Sequence, residues 1–229
     1  MGASSGIGFA TAKAVAEEDA NIVIVSSSQQ RIKKALAELP AGSEGYAIDL
    51  CKEENIKNFF SKIGNFDHLV FSAGENLTLN TIDATNIDEA REFFTLRLWG
   101  PFAAVKYGVS LINAGGSISL TSGTASARPA AGWSVGAAMC GAMEGFVRAM
   151  AVELAPVRVN CVVPGVIRTP LWDSMPEADR EGFYQYIANS VLAKRVGEAE
   201  DVAEGFVYLM KQKHATGQTL LIDGGTLLV

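Results

Sequence analysis

Histidine and cysteine are scarce in this sequence, with 2 His and 3 Cys among 229 residues. Neither histidine, at positions 68 and 214, stands at metal-ligand spacing from a cysteine or from the other histidine, so no metal site is predicted. The cysteines, at positions 51, 140 and 161, are odd in number and form no CxxC pair. This pattern favours reduced thiols in an intracellular compartment.

The sequence also lacks an excess of basic charge. Its net charge is −6 and it has no basic stripe, which argues against binding to a nucleic-acid backbone. The longest uncharged stretch, residues 107–127, is rich in Gly, Ser, Thr and Asn, so it does not predict a membrane span. The N-terminus has no charged region ahead of its apolar residues and does not resemble a signal peptide. We therefore expect a cytoplasmic protein, by default rather than from a positive signal.

Short apolar runs alternate with helical patterns along the chain. The runs are rich in β-branched residues and read NIVIVS, AIDL, HLVFSAG, GSISLTSG, VRVNCVVPG and TLLIDGG. Helical spacing of apolar residues covers residues 7–18, 30–39, 53–63, 87–112, 132–156 and 199–211. Strands that alternate with long helices indicate an α/β fold with a doubly wound parallel sheet. Because no linker or repeat interrupts the pattern, we predict a single domain over residues 1–229.

The sequence opens on GASSGIG, a turn whose glycines follow the spacing G-x3-G-x-G. Glycines at this spacing permit positive φ angles, close backbone approach to a pyrophosphate and tight packing of the next helix. Ser4 or Ser5 can cap that helix, whose amide dipoles would then point at a phosphate. With NIVIVS at βαβ distance, the turn predicts a dinucleotide site with contacts from Gly2, Ser4, Ser5, Gly6 and Ile7.

A glycine-rich turn of this kind normally follows a strand at the centre of the sheet. No residues for such a strand precede the turn, so we expect the first strand to be absent from this sequence and an upstream segment to have been omitted. Its absence would leave ladder groups unpaired on both neighbouring strands.

The segment after NIVIVS indicates which dinucleotide is bound. NAD-binding proteins place a carboxylate here for the ribose 2′-hydroxyl, whereas this chain has Ser26, Ser27, Ser28 and Arg31. Hydroxyls and a guanidinium suit a 2′-phosphate, so NADP(H) is the predicted cofactor. The alternative is that Ser28 only caps the next helix and that Arg31 is a solvated surface residue.

Taken together, these motifs resemble the short-chain dehydrogenase/reductase family over nearly the whole chain. GASSGIG is similar to the family's TGxxxGxG turn, SAG to its NAG motif and PGVIRTP to its nicotinamide-amide segment, while RVGEAEDVA and TGQTLLIDGG are similar to its C-terminal signatures. The resemblance implies a Rossmann-type domain. It also implies cofactor contacts at Asp49, Leu50, Ser72, Ala73, Gly74, Pro164, Gly165, Val166, Ile167 and Thr169.

The same resemblance identifies missing catalytic groups. Relatives carry YxxxK on the helix that here reads GWSVGAAMCGAMEGFVRAMAVELAP, and Gly136 and Cys140 take the Tyr and Lys positions. Arg97, in RLWGPF, replaces the Asn of the proton relay, and only Ser122 remains of the usual four residues. The family's mechanism therefore cannot be carried over.

Hydride addition to a ketone needs an acid for the developing oxyanion, and such an acid contributes on the order of 10² to 10⁴ in rate. An iminium carbon accepts hydride and becomes a neutral amine without an acid. We therefore predict an NADPH-dependent reductase of an imine, an iminium or a related bulky intermediate. GTASARPAAGW, followed by a helix without YxxxK, resembles fungal reductases of secondary metabolism, including the indole-alkaloid type. Some of these also template a cycloaddition. That activity is not assigned here, because this chain has Gly165 at the position after Pro164 where a specialised acid would stand.

The remaining candidate catalytic residues are Ser122, Arg128 and Arg97. Arg128 can bind a substrate oxygen or lie at the surface, and Arg97 needs an acid or backbone carbonyls as partners if it is buried. Cys140 is a small buried thiol or, less readily, a nucleophile. Two further functions stay open: a catalytically silent NADP-binding sensor or scaffold, and a slow carbonyl reductase that uses Arg128 or Arg97 as electrophile.

A bulky apolar small molecule is the expected substrate, because three tryptophans border the pocket in this alignment. They are Trp99, Trp133 and Trp172, with core or interface packing as the alternative. Residues 171–197 form a predicted lid, with Ser174 as its helix cap and dimer packing as the alternative. The resemblance implies a homodimer or homotetramer assembled through helices 87–112 and 132–156.

Overall fold

The computed structural model describes residues 1–74, 77 and 79–229. Its strands are β1 (Val23–Ser26), β2 (Glu44–Ala47), β3 (Phe66–Phe71), β4 (Ile112–Thr121), β5 (Arg158–Pro164), β6 (Ile167–Arg168), β7 (Gly197–Glu198) and β8 (Thr219–Ile222). Its α-helices are α1 (Gly6–Ala16), α2 (Gln29–Leu36), α3 (Glu53–Phe60), α4 (Ile87–Phe94), α5 (Gly100–Gly108), α6 (Ser134–Glu153), α7 (Glu177–Ser190) and α8 (Ala199–Lys211). The predicted α/β alternation is confirmed.

The strands pair in parallel as β2 with β1, and as β3, β4, β5 and β8 in that order. Residues 1–3 lie between these two groups. The Gly2 amide donates to the Val25 carbonyl of β1 at 2.8 Å, and the Ser72 amide, just after β3, donates to the Met1 carbonyl at 2.9 Å. Residues 1–3 thus join the two groups in the place where the first strand of a doubly wound sheet is expected.

Helices cover both faces of the sheet. On one face, α3, α5 and α6 pack on β3, β4 and β5 around a large apolar cluster that includes Phe60, Ile118, Leu120 and Met143. On the other face, α1 and α8 pack on each other and on the sheet around Val162, Val202 and Phe206. Because both faces are covered, β5 is buried along almost its whole length, which explains its continuous apolar sequence.

The helix predicted over residues 87–112 is interrupted, and this part of the prediction is wrong. α4 ends at Phe94, a π-helical turn spans Thr95–Trp99, and α5 begins at Gly100. Pro101 has no amide to donate to the Arg97 carbonyl, and its ring would clash there in a continuous α-helix. The wider π turn removes this conflict and sets the direction of the Arg97 side chain.

α6 is the one described helix that is long and apolar enough to cross a membrane by length and composition. Core helices of water-soluble proteins meet the same criterion. In this fold one side of α6, with Met139, Cys140, Met143 and Val147, is buried in the cluster on β4 and β5. That placement accounts for the apolar residues on this side of α6.

Candidate active site

The turn before α1 forms a cradle that only glycine can build. Gly2 has a φ of +86°, and a Cβ there would overlap the Ala73 backbone and lie 2.9 Å from the Ala73 Cβ. A Cβ on Gly8 would overlap the Gly2 carbonyl oxygen. Gly6 has a φ of +53° and faces the Thr169 side chain, with a built Cβ 3.3 Å from that residue's Cβ. The turn therefore packs directly on two other predicted cofactor segments.

The first turn of α1 keeps its amides available for an anion. Ser5 is the N-cap residue, but its side chain makes no capping hydrogen bond, contrary to the predicted cap. The Ser4 hydroxyl instead donates to the Ser26 hydroxyl at 2.7 Å. An uncapped helix N-terminus behind a glycine cradle is the arrangement that binds a dinucleotide pyrophosphate, so the residues present fit such a group.

Ser26, Ser27, Ser28 and Arg31 come together at the end of β1. The Ser28 hydroxyl accepts from the Arg31 amide at 3.3 Å and caps α2, so the alternative interpretation of Ser28 as a cap is confirmed. The Arg31 guanidinium donates to the Ser27 hydroxyl at 3.5 Å, and the Arg31 side chain is otherwise exposed. The Arg31 guanidinium and serine hydroxyls that can make further hydrogen bonds therefore lie together beside the glycine cradle.

The other predicted cofactor contacts lie at the carboxyl ends of neighbouring strands. Leu50 is buried, and Asp49 beside it accepts from the Cys51 amide at 3.0 Å. A Cβ on Gly165 would lie 2.9 Å from the Asp223 Cα, so this position tolerates only glycine. In an open parallel sheet, ligands bind at this edge. The structure thus brings together the segments Gly2–Ile7, Ser26–Arg31, Asp49–Leu50, Ser72–Gly74 and Pro164–Thr169.

The side of α6 next to Ser122 carries no proton donor of the usual kind, since α6 contains neither Tyr nor Lys. The Ser122 hydroxyl donates to the Cys140 carbonyl at 3.2 Å, and a Cβ on Gly123 would lie 3.3 Å from the Cys140 Sγ. Gly136 is buried, and of the residues that the structure describes, Trp133 alone would have an atom within 4 Å of a Cβ there, at 3.8 Å. Ser122 therefore fastens the end of β4 to α6, beside a space that Gly136 leaves open.

Cys140 is a neutral thiol in this environment. Burial raises its pKa, and the Ser122 hydrogen bond and the distant charge of Arg97 oppose that rise only in part. A thiol with a raised pKa carries little thiolate at neutral pH and is a poor nucleophile. The arrangement agrees with Cys140 as a small buried thiol.

The π turn directs Arg97 toward the cofactor edge of the sheet. Its guanidinium lies flat against Gly74, where a built Cβ would be 2.9 Å from Nη1 and 3.1 Å from Cζ. It also lies 4.7 Å from the centroid of the Phe93 ring, at cation–π distance. Arg97 thus places a positive charge beside a predicted cofactor contact.

Arg128 and the three tryptophans, which were predicted to border one pocket, do not lie together in the structure. Arg128 is exposed and donates to the Thr226 carbonyl, which ties the loop after Ser122 to the C-terminal turn. Trp133 and Trp172 share an apolar cluster with Tyr184 of α7. Trp99 does not join them: it is 57% exposed and packs edge-on against Phe102, 5.8 Å away between ring centroids. The prediction that all three tryptophans border one pocket is therefore wrong for Trp99.

A protein-family model described as an SDR-like Rossmann domain matches residues 1–229. Among curated proteins, the short-chain dehydrogenase/reductase ucsE of an Acremonium species is 32% identical over 100% of this chain and 94% of its own length. The chain belongs to the short-chain dehydrogenase/reductase family. Membership in this family makes it an oxidoreductase.

Solved structures of the family give the same result for the fold. The MalC reductase/Diels-Alderase from Malbranchea aurantiaca aligns with a TM-score of 0.91 at 30% identity, over 100% of this chain and 95% of that one. A small-chain dehydrogenase in complex with NADPH aligns with a TM-score of 0.86 at 29% identity, over 100% and 96% of the two chains. The predicted Rossmann-type fold and family are confirmed.

The sequence interpretation of this family member missed two polar contacts near the site. Glu144, one turn beyond Cys140 on α6, accepts from the Ser126 hydroxyl at 2.5 Å and holds the loop after Ser122. Arg168, inside PGVIRTP, donates to Glu181 of α7 through Nη1 and Nη2. The i+4 spacing of Cys140 and Glu144 could have indicated the first contact. Nothing local in the sequence indicates the second, because its partners belong to different elements.

Proposed function

We propose that this protein is an NADP(H)-dependent reductase of an imine, an iminium or another bulky, carbonyl-derived intermediate of secondary metabolism. The observation that carries the proposal is the side of α6 beside Ser122, which offers Gly136 and the neutral thiol of Cys140. Similarity to the MalC reductase/Diels-Alderase supports a reductase of this kind. The second activity in that protein's description is not proposed for this chain.

The choice of substrate class follows from charge balance during reduction. When hydride adds to an iminium carbon, a C–H bond forms and the C=N electron pair moves to nitrogen, which becomes a neutral amine. When hydride adds to a ketone, the electron pair moves to oxygen, and the alkoxide needs a proton. A site without Tyr or Lys on α6 can assist the first reaction by orientation alone, whereas the second would lose an acid's contribution.

NADP(H) is the proposed cofactor, and when bound it supplies the hydride. The cradle at Gly2, Gly6 and Gly8 and the uncapped start of α1 would hold the pyrophosphate. Ser27 and Arg31 would bind the 2′-phosphate. A similar solved structure is described as a complex with NADPH. The protein's part in the reaction is to bind the cofactor, orient it and keep water out.

The proposed substrate space lies between α6 and α7. Gly136 leaves room on α6, and Trp133 and Trp172 line the cluster beneath α7 together with Tyr184 and Phe183. Residues 171–197 would act as a lid whose apolar side closes on a bulky substrate. Exclusion of water by this lid would protect an iminium from hydrolysis.

A deuterium-transfer experiment tests the proposal. Purified protein is incubated with NADPH deuterated at C4 and a panel of cyclic iminium compounds, and the amines are analysed by mass spectrometry. We expect one deuterium at the former iminium carbon. NADPH binding without transfer to any member of the panel would instead favour the second candidate, a catalytically silent NADP-binding sensor or scaffold. One observation favours this second candidate: the Ser122 hydroxyl already donates to the α6 backbone and so does not offer its proton to a substrate.

The variant Arg31→Gln tests the cofactor choice. We expect the dissociation constant for NADPH to rise about tenfold and that for NADH to stay the same, because only NADPH offers a 2′-phosphate to the guanidinium. Lys33→Gln on the same helix is the matched control, since Lys33 is an exposed cation one residue beyond the buried Ile32. Fluorescence titration measures both constants. Equal losses for NADPH and NADH would contradict the role of Arg31.

We also propose that two or four copies assemble through α5 and α6. Phe102 of α5 stacks on Phe146 of α6 with ring centroids 4.9 Å apart, and Trp99 lies against Phe102. The Phe102 and Val152 side chains are also exposed, and exposed apolar patches mark interaction sites. Sedimentation equilibrium should give a dimer or tetramer, and the variant Trp99→Ser/Phe102→Ser should shift it toward monomer.

A further inference from the structure

Arg168 joins three elements of the structure at one guanidinium. It is the second residue of β6, between the predicted cofactor contacts Ile167 and Thr169. Nη1 lies 3.1 Å from Glu181 Oε2 and Nη2 lies 3.2 Å from Glu181 Oε1, a two-pronged pair with the middle of α7. This planar geometry is specific to Arg and carboxylate, and Lys cannot reproduce it.

Two further groups hold the same guanidinium. Its Cζ lies 4.3 Å from the centroid of the Tyr184 ring, one turn along α7 from Glu181. Its Nε lies 3.5 Å from Glu198 of β7, the strand residue that pairs with Arg168 in the β6–β7 ladder. The hydrogen bond from Arg168 lowers the pKa of Glu181, in agreement with an ionised pair.

Apolar contacts join α7 and β6 in parallel with this ion pair. Tyr184 is buried and shares a cluster with Trp172, whose indole N–H donates to the Ile167 carbonyl at 3.0 Å. The face of α7 that carries Tyr184 is thus fixed to the residue next to Arg168. A displacement of residues 167–169 would therefore be transmitted to α7 by both the apolar and the ionic contacts.

We infer that Arg168 is a positioning residue that latches α7 to the segment Ile167–Thr169, so that binding of the cofactor at that segment and closure of α7 over the substrate are coupled. The inference rests on the proposed function, which assigns cofactor contacts to this segment and a lid to residues 171–197. When the cofactor orders residues 167–169, the contacts of Arg168 with Glu181 and Tyr184, here called the latch, restrict the motion of α7 as well. Cofactor would then bind first and prepare the substrate site.

Hydrogen–deuterium exchange of α7 amides tests the latch with and without NADPH. In the parent protein we expect NADPH to slow exchange in α7. In Arg168→Gln and Glu181→Gln we expect exchange without cofactor to be about 3- to 10-fold faster, the range for a partly exposed ion pair with a cation–π contact. The double variant should add little to Arg168→Gln alone, because that change already removes the contact with Glu181. Arg168→Lys should restore only part of the protection.

Asp173→Asn is the matched control. Asp173, which precedes α7, pairs with Arg180 of that helix at 3.2 Å, so this ion pair involves α7 but not β6. Its removal should leave the NADPH effect on α7 intact, whereas Glu181→Gln should abolish most of it. Unchanged α7 exchange in both latch variants, or equal protection of α7 by NADPH in parent and variants, would overturn the inference. Failure of NADPH to bind at all would count against the proposed function. The exchange rates of α7 amides without cofactor would still test whether Arg168 and Glu181 hold α7 in place.

Discussion

The double variant Gly136→Tyr/Cys140→Lys is expected to reduce a ketone about 10²-fold faster than the parent protein, the lower end of what a general acid contributes. The α6 backbone can carry a side chain at position 136, because among the described residues a Cβ there lies within 4 Å of the Trp133 ring alone, at ordinary contact distance. Cys140 lies one helical turn further on the same side of α6, so the new amine would stand below the new hydroxyl. Steady-state kinetics with NADPH and a cyclic ketone measure the gain.

Gly136→Phe/Cys140→Lys is the control for this prediction. Phenylalanine fills the same space as tyrosine but has no hydroxyl, so it should give no gain on the ketone. The rate on the matching iminium should not rise in either variant, because that reaction needs no acid. Equal gains on the ketone with Phe and Tyr would mean that filling the pocket, rather than proton delivery, limits the parent protein.

The variant Gly8→Ala is expected to weaken NADPH binding by about 100-fold or more. Its methyl group would overlap the Gly2 carbonyl oxygen, so the cradle and α1 would have to move apart. The amides that face the pyrophosphate would then lose their position, and several charge-assisted hydrogen bonds would be lost together. Calorimetric titration with NADPH measures the loss, and circular dichroism checks that the variant is folded.

Two further variants make the cradle prediction decisive. Gly64→Ala is the control, because a Cβ there meets no atom of the described residues within 4 Å and NADPH binding should not change. Gly6→Ala is milder than Gly8→Ala, since its nearest neighbour is the Thr169 side chain rather than backbone, although its positive φ remains strained. It should fold and lose an intermediate amount of affinity. NADPH binding by folded Gly8→Ala within threefold of the parent protein would contradict the cradle.

The fold was predictable because buried parallel strands leave a strong local signal. The run VRVNCVVP has almost no exposed position in β5, so its apolar pattern reflects cover on both faces. AIDL was a weaker prediction: β2 is Glu44–Ala47 and ends where that run begins. The lid helix begins at Glu177 with Pro176 at its N-cap, three residues after the predicted cap at Ser174. Ends of elements depend on tertiary contacts that local patterns do not contain.

The parts of the site in which a motif determines the backbone conformation were predictable. The contacts of individual side chains were less predictable, because they depend on how the elements pack. Gly2 and Gly8 are required because a Cβ at either position would overlap neighbouring backbone, of Ala73 and of Gly2 respectively, and the glycine spacing in the sequence indicates this close packing. Trp99 was misplaced because a helical residue's direction depends on rotation of the helix, which the π turn before Gly100 changes. Arg168 was overlooked because Glu181 and Tyr184 reach it only after α7 has packed on Trp172.

We propose that this site orients hydride transfer but does not deliver a proton. The most direct test is the ratio of kcat/KM for a cyclic iminium to kcat/KM for the ketone of the same ring skeleton, both with NADPH and the parent protein. We expect a ratio of at least about 10² in favour of the iminium. A ratio near or below one would contradict it, because the protein would then supply the ketone's proton from a group other than those described on α6.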